Sequence, residues 1–112
     1  MWQGIENILS FIREELKNTI ISATKRAIEE GILKLMDIPD FYMQKPDMEE
    51  HGDMSAPLPL MLSKQAKMSP RQIAESIVPF ISKSEIIEKV EVAGPGFINI
   101  FLSDRCFQNL LF

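Results

Sequence analysis

Ile5, Ile8, Ile12, Leu16, Ile20, Ala23 and Ala27 recur at spacings of three and four residues, which places them on one stripe of a helix. Glu6, Arg13, Glu14, Lys17, Lys25 and Glu29 fall on the other side. Gly31 supplies the left-handed position that ends such a helix. A helix of this length with one apolar stripe has to bury that stripe, so the start of the chain is committed to core packing.

The rest of the chain is punctuated differently. Pro39, Pro46 and Gly52 break any helical period, and residues 41–44, FYMQ, are the stretch suited to a short strand. Leu58, Leu60, Met61, Leu62 and Ala66 predict a helix that begins close to Pro57 or Pro59, because proline is tolerated only in a first turn. A second helix follows. Ser69 can cap it, Pro70 suits its first position, and Gln72 completes a capping box. Ile73, Ile77 and Phe80 or Ile81 form its buried stripe, and Pro79 stops or kinks it.

The last third reads as a hairpin. Apolar and charged residues alternate from Ile87 to Val92, Ala93-Gly94-Pro95-Gly96 is turn chemistry, and residues 97–102, FINIFL, return. Alternation puts Ile98, Ile100 and Leu102 on one face and Phe97, Asn99 and Phe101 on the other. Ser103 can cap a final helix over residues 104–112. Helix, strand, two helices, two strands and helix predict an α+β sandwich of two layers, with helices on one face of a small antiparallel sheet.

Length agrees with one domain. A chain of 112 residues buries roughly two-thirds of its unfolded surface. No apolar run approaches the ~20 residues needed to cross a bilayer, and the N-terminus lacks the pattern of a secretory signal. One cysteine, Cys106, leaves no internal disulfide and points to a reducing, cytoplasmic home. The net charge of −4 is unevenly spread. Residues 37–53 hold six carboxylates against Lys45, whereas residues 54–83 hold Lys64, Lys67, Arg71 and Lys83 against Glu75. Such asymmetry is ordinarily a solvated surface, though it can present one face usable against phosphates.

No catalytic set is visible. His51 has no second histidine with which to share a metal, and Cys106 reads as a structural thiol. The acidic run from Asp47 to Glu50 lacks calcium-loop spacing. Lys67-Met68-Ser69 has no glycine-rich phosphate cradle. Neither a catalytic residue, a metal nor a cofactor is expected. The outer face of the last strand is more informative. An aromatic stacks on an unpaired base for about 1–3 kcal/mol, and an adjacent amide reads the base's edge. Alternating aromatics also belong to cores and interfaces, but Asn99 fits those poorly, since a buried amide costs free energy unless its hydrogen bonds are met.

Residues 90–103, VEVAGPGFINIFLS, resemble the closing hairpin of the N-terminal additional domain of arginyl-tRNA synthetases. His51-Gly52-Asp53 and the helices containing LMLSKQAK and SPRQIAESI match in order and spacing. The resemblance covers essentially the whole chain, residues 1–112, and its hairpin is the specific part. It implies a domain that leans on the elbow of tRNA(Arg) and contacts a D-loop base through an aromatic-x-amide pair. Here that pair is Phe97 and Asn99, exposed on one strand face beside basic residues, with Gly94, Pro95 and Gly96 shaping the turn. The His-Gly-Asp loop carries no chemical role.

Many members have a small-polar stretch with Asn after that loop, where Ala56-Pro57 stands here. The resemblance further implies a fragment without the catalytic and anticodon-binding domains, with ATP used only in the missing catalytic part. Its partners are then tRNA(Arg) and the remaining synthetase domains, with neither DNA nor a membrane. The alternative is a docking module in which Phe97 and Phe101 form an apolar contact patch and RNA is not bound. A hydrolase using Cys106 has only that thiol to stand on.

Overall fold

The apolar stripe of the first segment folds as α1, Trp2–Glu29, with Ile12, Leu16, Ile20, Ala23 and Ala27 all buried. The computed structural model describes residues 2–46, 48–82 and 84–105. Burying each of the Ile and Leu side chains contributes about 1.5–3 kcal/mol relative to leaving it in water. The chain reverses at Gly31, where Ile32 donates its backbone N–H to the Ala27 carbonyl at 2.9 Å. It then returns along α1. The Lys17 ammonium donates to the Asp40 carboxylate, and this bond is the main cause holding Asp40 below, and Lys17 above, its ordinary pKa.

Residues 41–44 run extended, with Phe41 and Met43 buried and Tyr42 and Gln44 exposed, so their period of two is real. They are not the first strand, however. That strand is β1, Met54–Ala56, and Gln44 contributes only an isolated bridge to Ser55. The correction has a physical reason: a strand is defined by its neighbour, and the neighbour here is a strand some forty residues later.

The helix starts fall where proline placed them. Pro57 precedes α2, Leu58–Ala66, without a side-chain cap, and Lys67 closes it in left-handed geometry. In α3, Pro70–Ile77, the Ser69 hydroxyl accepts from the Gln72 N–H while the Gln72 side chain accepts from the Ser69 N–H. Both halves of the capping box are formed. Ile73, Ala74 and Ile77 are fully buried, and the helix tightens at Pro79 into a 3-10 turn, Val78–Phe80. No helix among the described residues is long and apolar enough to cross a membrane.

The hairpin forms as β2, Ile87–Ala93, and β3, Phe97–Leu102. The sheet order is β1-β3-β2, antiparallel throughout. A register shift between Ile87 and Lys89 absorbs the adjacent charges Glu88 and Lys89, which break a strict alternation. Val90, Val92, Ile98, Ile100, Met54 and Ala56 then face one core with the helices. Among the described residues, three helices and three strands make an α+β sandwich with the helices on one sheet face. Of the predicted terminal helix, Asp104 and Arg105 are described and helical, and residues 106–112, Cys106 among them, lie outside the described residues.

Candidate nucleic-acid interface

The face of β3 turned away from the helices carries Phe97, Asn99 and Phe101, as its alternation requires. Two loops wall part of this face. On one side, the hairpin turn brings Gly94 and Pro95 alongside Phe97; on the other, the loop before β1 brings Gln44, Lys45, Met48 and His51. Between them lies a pocket of about 330 Å³ with Phe97, Asn99 and Ser55 in its lining. At this volume it sits at the small end of ligand-sized cavities, roughly 300–1,000 Å³.

Four of the five residues expected from the sequence, Gly94, Pro95, Phe97 and Asn99, therefore share one pocket. Gly96 does not line it. It is buried, and a side chain there would meet the Pro70 backbone at 2.5 Å, so only glycine lets the hairpin lie against the start of α3. Arg71 reinforces the contact by donating to the Gly94 carbonyl at 2.9 Å.

Asn99 departs from expectation. It is 3% exposed rather than standing open on the strand face. Ser55, its cross-strand partner on β1, donates its hydroxyl to Asn99 Oδ1 at 2.7 Å, and Ser55 is itself buried. The amide lies at the floor of the pocket, with half-buried Phe97 beside it. Phe101 is also set apart. The Lys89 ammonium stands 4.5 Å from its ring centroid, so its face is already engaged and the row is not one continuous apolar patch. The cations expected beside the pair are Lys45 on the pocket wall and Arg71 at the turn.

The His51-Gly52-Asp53 loop holds the ladder end, as expected of a structural element. Asp53 donates its N–H to the Ile100 carbonyl at 2.9 Å and accepts from the Leu102 N–H through its carboxylate at 2.8 Å. His51 has a second placement that sequence reasoning missed, on the pocket wall. Ser55, Gln44, Lys45 and Met48 were missed as well. The available signal was the apolar-polar-apolar run Met54-Ser55-Ala56, which marks Ser55 as facing away from the core once a strand is placed there.

These features define a small α+β module with a pocket on the sheet face opposite its helices. Residues 10–102 match the family described as the arginyl tRNA synthetase N terminal domain, and the chain belongs to that family. Over 102 residues it is 42% identical to the arginine–tRNA ligase of Caldanaerobacter subterraneus, covering 90% of this chain and 18% of that protein. The arginine–tRNA ligase of Bacillus pumilus is 37% identical over 106 residues, across 94% of this chain and 18% of the relative. The chain thus spans about a fifth of the length of the relatives it matches. The fold is shared with arginyl-tRNA synthetase from Plasmodium falciparum, at a TM-score of 0.73, 16% identity, and coverage of 89% of this chain and 17% of that one. It is shared too with the Thermus thermophilus enzyme, at 0.65, 21% identity, and 87% and 15% coverage.

Proposed function

We propose that this chain is a tRNA-binding module that takes a D-loop base at the elbow of tRNA(Arg) into the Phe97–Asn99 pocket. It thereby positions the tRNA for aminoacylation carried out in the cytoplasm by other domains of a synthetase. Catalysis and any use of ATP belong to those domains. The observation carrying the proposal is the pairing, in one cavity, of a half-buried aromatic with an amide at the floor. An unpaired base stacks on the ring, and the amide meets its edge. DNA and membranes have no place in this scheme. The docking alternative needs Phe97 and Phe101 as one patch, and Lys89 over Phe101 weighs against it.

The test is a titration of the chain with tRNA(Arg), read by fluorescence anisotropy at low salt. Phe97→Ala is expected to weaken binding about 5- to 150-fold, the equivalent of roughly 1–3 kcal/mol of stacking, while the melting temperature stays within a few degrees. Equal affinity of Phe97→Ala and wild type, or no binding by either, would return the chain to the docking alternative.

A further inference from the structure

Asn99 has two halves, and the structure treats them differently. Its oxygen accepts from the Ser55 hydroxyl at 2.7 Å. Its nitrogen has two N–H donors, and among the described residues no group accepts from them. No buried side-chain nitrogen or oxygen among those residues lacks a partner, so this nitrogen is not sealed off from solvent, and the pocket is the space it borders. The obvious competitor is Glu91, directly across from Asn99 on β2. Its carboxylate is instead held by the Lys89 ammonium at 2.8 Å.

Ser55 is well suited to holding an amide still. It is the middle residue of β1, paired with Asn99 on one side. On the other side it exchanges two backbone hydrogen bonds with Gln44, at 2.8 and 2.7 Å. These bonds fix the Ser55 backbone, and its hydroxyl, on a buried side chain, is held by its own bond to Asn99 Oδ1. Without that hydroxyl, an asparagine amide can present either its oxygen or its nitrogen by a half-turn of its last torsion. A pocket floor that alternates between donor and acceptor reads no particular base edge.

We infer that Ser55 is a positioning residue for base selection: it pins the Asn99 amide with its N–H donors toward the pocket, so that the bound base must bring an acceptor, a ring nitrogen or a carbonyl oxygen. This rests on the proposed D-loop function and deepens it. The hydroxyl itself touches no base; it acts through the amide.

The experiment measures binding of wild type and variants to tRNA(Arg) and to transcripts in which each D-loop base is replaced in turn. The quantity read is the ratio of affinities between the best and worst base at the most sensitive position. Ser55→Ala is expected to lower this ratio about three- to tenfold, as loss of one orienting hydrogen bond implies. Ser55→Thr and Ser55→Val, alike in shape and differing in the hydroxyl, form the decisive pair should alanine loosen the strand. Threonine should retain the ratio and valine should lose it.

The side-chain NH2 signals of Asn99 in a nitrogen-correlated NMR spectrum give a readout without RNA. Both should be displaced from the shifts of a mobile asparagine with Ser or Thr at position 55, and should move toward those shifts with Ala or Val. Variants that discriminate bases as wild type does would overturn the role of Ser55 while leaving D-loop binding intact. A wild type that binds every transcript equally would overturn the base-reading function and this inference together. Binding abolished by Phe97→Ala but with discrimination unaltered in Ser55→Val would assign selection to another wall of the pocket.

Discussion

At the residue scale, the least replaceable positions are those where backbone approaches backbone. Gly52 has a φ of 106°, and a Cβ there would stand 2.9 Å from the Ile100 carbonyl oxygen. Neither atom is the end of a flexible side chain, so relief requires the loop or the strand to shift. Because Asp53, the next residue, grips β3 through both its N–H and its carboxylate, the shift would also loosen the ladder end. Gly52→Ala is therefore expected to destabilise the chain by at least about 1–3 kcal/mol, the cost of a strained backbone alone. Urea unfolding checks this: the midpoint should fall with an unchanged slope, and an unmoved midpoint would mean the loop yields freely.

Legibility followed the same division. Phe97 and Asn99 were visible as one face of an alternating strand and Gly94 and Pro95 as turn residues, while their grouping into one site came from the resemblance of the hairpin to a family. Ser55 was not, since a serine acquires its meaning from the residue 44 positions away that it bonds.

At the scale of elements, signals held in one turn of chain or in one hairpin, such as β2 and β3 about their Gly-Pro-Gly turn, were readable, and signals that depend on distant pairing were not. Proline placed the starts of α2 and α3 and the 3-10 turn at Pro79, and Ser69 with Gln72 formed the box their spacing implies. The strand β1 escaped because three residues carry little periodicity, while the better-patterned residues 41–44 lack a partner beyond one bridge. The hairpin's docking on α3 also lay beyond local pattern. Gly96 packs on Pro70, and Arg71 holds the Gly94 carbonyl while pairing with Glu75 at 3.3 Å.

Gly96→Ala should push the turn off the helix start, at a cost of at least about 1 kcal/mol in stability. Backbone NMR shifts should change together over residues 69–72 and 93–97, while α3 stays helical because its capping box is independent of the turn. Shifts limited to the hairpin would show that the two elements are not coupled.

At the scale of the whole molecule, the charge of −4 and the position of the pocket set what the proposed RNA binding would have to rely on. A protein that tracks a phosphate backbone spends many cations on it, and its affinity falls steeply with salt. Here the cations near the pocket are few. Among the described residues, Lys45 lines it, Arg71 braces its turn, and Lys89 is occupied by Glu91 and Phe101. Under the proposed function, affinity would come chiefly from what happens inside the pocket, which salt barely screens.

With one or two phosphate contacts, log affinity against log salt should have a slope of about −1 to −2, and Lys45→Ala should flatten it by about 0.7. Phe97→Ala should lower the affinity at every salt concentration without changing the slope, because a stacked ring releases no counterions. A wild-type slope steeper than about −5 would demand more cations than this face holds, and the RNA would then have to lie across a different surface of the domain.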